Sequence, residues 1–248
     1  MLFHGRRFTL TIMSFPGFRG PARANNKARR RRSSFKLWRS EQRPPFRHPI
    51  LLQQEVRMNK MCVVVSHSGF GHTQRLAEQV VVGVNAISGV TAEHLIIDQE
   101  ANLPAGGWDK LEEAEGIIFG CPTVMGGPSW QFKKFADATA EIRAKELWRD
   151  KLGAGFTNSR SIHGDKFLTV SYFITFAMQH AMIWVGTGLK AANTLAATRN
   201  DVNYLGAFSG LVSQVPSDAT LEEGLPDGDL RTARHFGRRY GTVLKALF

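Results

Sequence analysis

The stretch from Val63 to Thr73 constrains the fold of this chain more than any other part of it. Three consecutive valines, Val63 to Val65, form a short apolar run, which is typical of a strand buried on both faces of a parallel sheet. A loop of hydroxyl residues and glycine follows, and apolar residues then recur at helical spacing from Leu76 to Val84. A strand, a small-residue loop and a helix in this order direct loop amides and the positive end of the helix at one point. The stretch therefore predicts an anion-binding site.

The composition of this loop, Ser66 to Thr73, narrows the class of anion. The loop contains no Lys or Arg, lacks the Lys-Ser/Thr ending of a nucleoside-triphosphate loop, and is not GxGxxG. Neutral hydroxyls of Ser66, Ser68 and Thr73 stand beside glycine amides instead. These donors suit a terminal phosphate monoester bound without a metal, such as the phosphate of FMN. The alternative is an ordinary strand-to-helix turn with Thr73 as the N-cap of the helix.

The net charge of +11 comes from the beginning of the chain. Residues 1–60 hold fifteen Lys and Arg against two acids, a net of +13, whereas residues 61–248 hold seventeen bases and nineteen acids, a net of −2. We therefore divide the chain into a basic leader, residues 1–60, and a folded domain, residues 61–248. The leader is predicted to be disordered or non-native, with translation starting at Met58 or Met61, or else to be an organelle transit peptide. Its Arg run permits a nucleic-acid function, which the sparse aromatic residues around it disfavour.

Two further strands lead into loops of similar character. The apolar strand Gly116–Gly120 precedes a Gly- and Pro-rich loop, Cys121–Pro128, and the small-residue strand Leu152–Phe156 precedes a polar loop, Thr157–Gly164. Strands alternate with helical segments, so we predict an α/β fold: a doubly wound, five-stranded parallel sheet with helices on both faces. The carboxyl ends of parallel strands meet at one edge of the sheet, where ligands of this architecture bind. The three loops should therefore meet there.

Two helices and a strand are predicted in the later part of the chain. The spacing predicts a helix from Asp165 to Gln179, a strand over Met182–Val185, and a final amphipathic helix with Phe236 and Tyr240 on its inner face. The long segment Thr187–Gln214 suits an insertion that covers a site or makes oligomer contacts, and Leu205–Val215 could add a strand.

Cys62 and Cys121 are predicted to be separate thiols. Placed near the start of the first strand and the end of the third, they would lie about 13 Å apart, beyond the reach of a disulfide. Two reduced thiols indicate a reducing compartment, and we expect the cytoplasm. No apolar run approaches the roughly 20 residues of a membrane span, so no membrane association is expected.

Three blocks of this sequence resemble the flavodoxin superfamily, and within it the NAD(P)H-dependent FMN reductases and quinone oxidoreductases. The blocks are Ser66–Thr73, Gly120–Ser129 and Gly153–Ser159. The resemblance implies a flavodoxin-like fold, an FMN cofactor, NADH or NADPH as electron donor, and a quinone or similar small molecule as electron acceptor. It also implies a homo-oligomer, either a dimer or a tetramer. The alternative within the superfamily is a flavodoxin-type electron carrier that docks redox partners without turnover of its own.

The resemblance also implies which residues form the site. Those expected to hold the FMN phosphate are Ser68, Gly69, Phe70, Gly71, His72 and Thr73. Those expected to line one side of the isoalloxazine are Pro122, Thr123, Val124, Met125 and Gly126, and those along its other edge are Thr157, Asn158, Ser159, Arg160 and Ser161.

No metal and no protein nucleophile are needed, because the flavin carries the redox chemistry. Two residues are candidates for a catalytic role, His180 near the flavin edge and Arg160 as a charge that stabilises the reduced anion or attracts a nicotinamide phosphate. The alternatives are a buried core histidine and a solvated loop charge. Trp130 is expected to pack rather than to stack on the flavin.

Overall fold

The computed structural model describes residues 59–248. The strands are β1 (Lys60–His67), β2 (Val90–Ile97), β3 (Gly116–Val124), β4 (Gly127–Pro128), β5 (Leu152–Ser159), β6 (Ile183–Trp184) and β7 (Leu211–Gln214). The helices are α1 (His72–Asn85), α2 (Gly107–Glu113), α3 (Trp130–Ala138), α4 (Ala140–Ala144), α5 (Lys166–Gln179) and α6 (Asp227–Leu247). Apart from its last two residues, the predicted leader lies outside the described residues, and its properties stay predictions.

The predicted doubly wound parallel sheet is confirmed, with its last strand in two pieces. The order is β2-β1-β3-β5-β6, and β7 also pairs with β5. Strand β6 pairs in parallel with Leu152 and Gly153 at the start of β5, and β7 pairs in parallel with Phe156–Ser159 at its end. The fifth position of the sheet is therefore filled by two short strands with residues 185–210 between them. Strand β4 was not predicted; it forms a hairpin with the end of β3.

Strands β3 and β5 run further than the sequence predicted. Thr157, Asn158 and Ser159 were assigned to a loop, but they belong to β5. Thr157 pairs with Cys121 of β3 on one side and with Val212 of β7 on the other. Because both neighbouring strands offer backbone partners, these polar residues extend the strand although their composition is typical of a loop.

Helices cover both faces of the sheet, and each face has its own apolar core. Helices α1 and α6 bury Leu76, Val80, Phe236 and Tyr240 against one face. Helices α2, α3 and α5 bury a second core, rich in phenylalanine, against the other face. Cys62 belongs to the first core and Cys121 to the second, and both thiols are free and buried, as predicted. Within residues 59–248, no helix combines the length and the apolar character that a bilayer crossing requires.

Helices α1 and α6 approach each other through glycine. A Cβ atom added at Gly237 would lie 2.2 Å from the carbonyl oxygen of Val80, and one added at Gly83 would lie 2.2 Å from that of Arg234. Neither backbone can move aside without separating the two helices. The close contact of α1 with α6 therefore depends on these two residues.

We expect Gly237→Ala to destabilise the protein by about 1–3 kcal/mol, the usual cost of overpacking, even though alanine is the better helix former by about 1 kcal/mol. The measurement is the free energy of unfolding in urea. Thr242→Ala, an exposed change on the same helix, is the control and should change that free energy by less than about 0.5 kcal/mol. A Gly237→Ala protein as stable as the wild type would contradict the packing argument.

Candidate functional site

A cavity of about 1100 Å³ opens at the carboxyl edge of the parallel sheet. This volume lies slightly above the range that is typical of small-molecule sites, roughly 300–1,000 Å³. Its wall is built from four parts of the chain: the loop after β1, the β3–β4 hairpin with the start of α3, the end of β5 with the loop after it, and the loop after β7. The three predicted loops therefore meet, as the parallel topology required.

The loop after β1 presents unpaired donors to the cavity. Gly71 has φ = +86°, a conformation that glycine adopts without strain, and it turns the chain into α1. The first internal hydrogen bond of α1 is donated by the amide of Arg75 to the carbonyl of Gly71, so the amides of the first turn stay free for a ligand. The Oγ atom of Ser68 is buried and has no hydrogen-bond partner among residues 59–248. Free amides at the start of a helix and an unpaired hydroxyl are donors of the kind that anions accept from.

The alternative reading of this loop, with Thr73 as N-cap, is wrong. The N-cap position is occupied by Gly71, and no side chain caps the helix. The hydroxyl of Thr73 instead donates a 2.8 Å hydrogen bond to Oδ1 of Asn158, which joins α1 to the end of β5. A side chain that could have capped the helix thus connects two walls of the cavity.

A second set of hydroxyl contacts joins the β3–β4 hairpin to β5 and α5. Oγ1 of Thr123 lies 2.8 Å from Oγ1 of Thr157 and donates a 2.8 Å hydrogen bond to Oγ1 of Thr169. Thr157 is fully buried and its hydroxyl donates to the carbonyl of Cys121 at 2.7 Å. These contacts fix the positions of the walls relative to each other before any ligand binds.

The predicted cofactor-binding residues line this cavity with two exceptions, Gly71 and Thr157. Gly71 shapes the turn into α1, and Thr157 lies behind Thr123, so both support the wall from outside it. Residues that the sequence analysis did not assign also line the cavity: His67, Ser129, Trp130, Gln131, Gly164, Val215, Pro216, Ser217, Ala219 and Leu221. The last five of these follow the strand that the sequence suggested within Leu205–Val215. Because the loop after a parallel strand lies at the carboxyl edge of the sheet, that strand could have indicated that they line the cavity.

Trp130 is exposed, which corrects the expectation that it serves packing. It is the first residue of α3, and 59% of its surface is accessible. The inner face of α3 is formed by Phe132, Phe135 and Ala136, so the indole is left at the mouth of the cavity. Other large apolar side chains at this mouth, Phe70, Val124 and Met125, are also exposed.

His180 lies away from the cavity, which corrects its assignment as a catalytic candidate. It follows α5, whose first residue, Lys166, lies near the cavity wall; fourteen helical residues at 1.5 Å each put about 20 Å between the two ends. Its Nε2 lies 3.0 Å from Oγ1 of Thr139, and its ring packs against Trp148. Burial, together with the nearby Arg143, lowers the pKa of His180 to about 4. The alternative, a buried and fully hydrogen-bonded core histidine, is right about its burial, but Nδ1 of His180 has no hydrogen-bond partner among the described residues.

Arg160 lies at the mouth of the cavity. Its guanidinium carbon is 5.6 Å from the centroid of the Phe70 ring, a cation–π contact that joins the loops after β1 and β5. The described residues that line the cavity include no Asp, Glu or Lys, and among them Arg160 alone carries a fixed charge. Within residues 59–248, no group of three or more His, Cys, Asp or Glu is arranged to hold a metal ion. The cavity thus offers uncharged donors and a single cation, which fits a phosphate monoester attached to a flat ring system, as in FMN.

The chain is similar to several known proteins. The family described as NADPH-dependent FMN reductase matches residues 107–213. The chain is 45% identical over 181 residues to flavodoxin FldP of Pseudomonas aeruginosa, covering 73% of this chain and 95% of that protein. It is 30% identical over 199 residues to an NAD(P)H dehydrogenase (quinone) of Geotalea daltonii, with the same coverage. The crystal structure of a flavodoxin, WrbA-like protein from Agrobacterium tumefaciens is 40% identical, with a TM-score of 0.61, over 76% of this chain and 99% of that one.

Proposed function

Because the chain belongs to the flavodoxin superfamily, in its group of NAD(P)H-dependent FMN reductases and quinone oxidoreductases, we propose that its FMN binds in the cavity at the carboxyl edge of the sheet. The protein is an oxidoreductase that uses FMN and NAD(P)H. The observation that carries the assignment of the site is the buried, unpartnered hydroxyl of Ser68 beside the free amides of the first turn of α1. An unpaired buried donor costs free energy unless a ligand completes it.

In this proposal each wall of the cavity contacts a different part of the ligand. FMN held in this cavity would supply the redox chemistry, a two-electron transfer from NAD(P)H to an acceptor. The residues that would hold its phosphate are those from Ser68 to Thr73. The hairpin residues Thr123 to Gly126 would line the flat ring on one side, and Asn158 and Ser159 would hydrogen-bond its polar edge. The cation of Arg160 would attract the anionic nicotinamide donor.

We propose a quinone or a similar planar molecule as the acceptor. Phe70, Val124, Met125 and Trp130 leave large apolar surfaces exposed at the mouth of the cavity. A flat, mostly apolar acceptor can bury these surfaces, whereas a strongly charged one gains little from them. The quinone dehydrogenase name of one relative supports the same class.

A direct test uses the purified full-length chain. We expect a yellow protein, or a colourless one that becomes yellow with added FMN, and oxidation of NADH or NADPH that depends on benzoquinone. The visible spectrum and the loss of nicotinamide absorbance measure the two properties separately. A protein that remains colourless with excess FMN would contradict the assignment of the cavity.

The second candidate function, an electron carrier, is favoured by the flavodoxin name of the relative that is 45% identical. A carrier docks a redox protein and commonly has an acidic surface, whereas residues 61–248 sum to only −2. The same experiment separates the two functions. A yellow protein that oxidises neither nicotinamide with benzoquinone, but passes electrons to a redox protein, would favour the carrier.

Three further properties are part of the proposal. A homo-oligomer is supported by the exposed apolar side chains around the mouth of the cavity, and light scattering of the purified protein measures its mass. A reducing compartment such as the cytoplasm is supported by the two free, buried thiols. A chain that starts at Met58 should keep full FMN occupancy, because the described strands and helices begin at Lys60; loss of FMN would show that the leader matters.

We expect Trp130→Ala to raise the KM for benzoquinone by about 3- to 10-fold, because an aromatic contact contributes roughly 0.5–1.5 kcal/mol beyond its buried area. The affinity for FMN should change less than twofold. The control is Trp108→Ala: this tryptophan is partly exposed and stacks on Phe135, but it does not line the cavity. Equal KM values for wild type and Trp130→Ala would contradict a role of the indole in binding the acceptor.

A further inference from the structure

Lys166, the first residue of α5, carries an ammonium group that is buried behind one wall of the cavity. Only 3% of the residue is exposed. Its Nζ atom donates to the carbonyl oxygens of Ile162 (2.6 Å) and Ser161 (2.7 Å) and to Oγ of Ser159 (3.2 Å). Ser159 and Ser161 also line the cavity. All three hydrogen bonds of this ammonium therefore go to residues 159–162, which we call the 159–162 segment.

No carboxylate in the described part of the chain is in contact with this ammonium. Its three acceptors are neutral oxygens, and it forms no ion pair with any residue from 59 to 248 within 4.0 Å. The charged groups that act on it from neighbouring elements are Asp229 of α6 and Arg199 of the segment between β6 and β7, which pair with each other at 2.8 Å. Burial lowers the pKa of Lys166 to about 8. At neutral pH the group is charged and largely uncompensated.

A buried charge without a counter-charge is costly in a folded protein. The positive charge of Lys166 stands directly behind residues that face the cavity, and Arg160, in the same segment, places a second positive charge at the mouth. Since none of the described lining residues carries a carboxylate, these two cations give this wall a positive potential. An anionic ligand in the cavity would offset the cost.

We propose that Lys166 is a positioning residue for the cofactor, which holds the 159–162 segment in its binding conformation and makes that wall of the cavity favour a negatively charged ligand. The inference rests on the proposed function, namely that FMN binds in this cavity. Two consequences follow from it. The affinity for oxidised FMN depends on the segment, and the reduced flavin, which carries an additional negative charge, gains more from the ammonium than the oxidised flavin does.

A matched control exists in the same protein. Lys151, just before β5, also has a pKa lowered to about 8 by burial, and its Nζ also donates to three oxygens, the carbonyls of Leu111 (3.1 Å), Ala114 (2.7 Å) and Glu112. It lies at the opposite edge of the sheet and does not line the cavity. Lys166→Met and Lys151→Met thus remove comparable groups, one near the cavity and one far from it.

The experiment measures the Kd of oxidised FMN for the full-length apoprotein, the midpoint potential of the bound flavin, and the urea unfolding of each apoprotein. We expect Lys166→Met to raise the Kd at least tenfold and to reduce the affinity for reduced FMN about tenfold more, which lowers the potential by about 30 mV. We expect Lys151→Met to change the Kd less than twofold and to leave the potential unchanged. Equal Kd values and potentials for the two variants would overturn the inference, whatever their stabilities.

The pH dependence of the wild type provides a test without any variant. The FMN phosphate stays a dianion above pH 7, its second pKa being about 6. The affinity for FMN should therefore fall between pH 7 and pH 10, as Lys166 loses its charge, and it should be nearly constant in Lys166→Met. A constant affinity in the wild type over this range would also overturn the inference. Failure of the wild type to bind FMN at all would instead contradict the proposed function.

Discussion

Replacing Ser68 by alanine should weaken FMN binding by about 10- to 100-fold without destabilising the apoprotein. A hydrogen bond to a charged group contributes roughly 1.5–3 kcal/mol, and each 1.4 kcal/mol is a factor of ten in affinity. The hydroxyl of Ser68 is buried and has no hydrogen-bond partner among residues 59–248, so its removal breaks no hydrogen bond within that part of the protein. The measurements are the Kd of FMN, from the quenching of flavin fluorescence, and the free energy of unfolding of the apoprotein in urea.

Ser213→Ala is the matched control for this prediction. The Oγ atom of Ser213 in β7, like that of Ser68, is buried and lacks a hydrogen-bond partner among residues 59–248, but Ser213 does not line the cavity. Its replacement should leave the affinity for FMN within a factor of two. If both variants bound FMN as tightly as the wild type, the loop after β1 would not hold the phosphate. A Ser68→Ala protein that lost affinity only because it unfolded would be recognised in the urea experiment.

Phe132→Ala should have the largest effect on stability, a loss of about 3–5 kcal/mol, which is typical for truncation of a fully buried phenylalanine. Phe132 of α3 is inaccessible to solvent, and its ring contacts those of Phe119, Phe135 and Phe173, with centroid distances of 6.1, 5.5 and 4.8 Å. The void that the truncation leaves in the core would loosen the packing of α3 against the sheet. Because α3 begins at Trp130 in the cavity wall, the affinity for FMN should fall together with the stability.

Phe167→Ala is the control, because it removes an aromatic ring of the same kind without removing a buried contact. Phe167 is on α5 and 63% of its surface is exposed, so its truncation should change the free energy of unfolding by less than about 0.5 kcal/mol. The measurement is urea unfolding of both variants, followed by circular dichroism. A Phe132→Ala protein that lost less than about 1 kcal/mol would show that α3 does not depend on this core.

The elements near the start of the domain could be predicted from the sequence because their signals are local. Val63 to Val65 form a continuous apolar run, and Leu76, Val80 and Val84 recur at helical spacing; the structure buries all of them. The glycines and hydroxyls of the three loops follow strands, and parallel topology alone brings such loops to one edge. The position of the cavity and most of the residues that line it could therefore be predicted from the sequence.

The errors concern residues whose environment depends on distant parts of the chain. Trp130 was assigned to packing, but Phe132 and Phe135 fill the inner face of its helix. Thr157 was placed in a loop, but β7, more than fifty residues later, offers it a strand partner. His180 is one helix length away from the cavity, and the role of Lys166 depends on a loop that folds back over its ammonium.

The sequence alone determined the parallel α/β architecture, the small-residue loop after β1 and the edge of the sheet where the cavity opens, because strand and helix periods and glycine-rich turns are properties of neighbouring residues. Only the tertiary structure decided which side chains face the cavity, which of the buried polar groups keep a free donor, and where the charges of Arg160 and Lys166 lie. Those properties depend on contacts between residues far apart in the chain, and no local pattern encodes them.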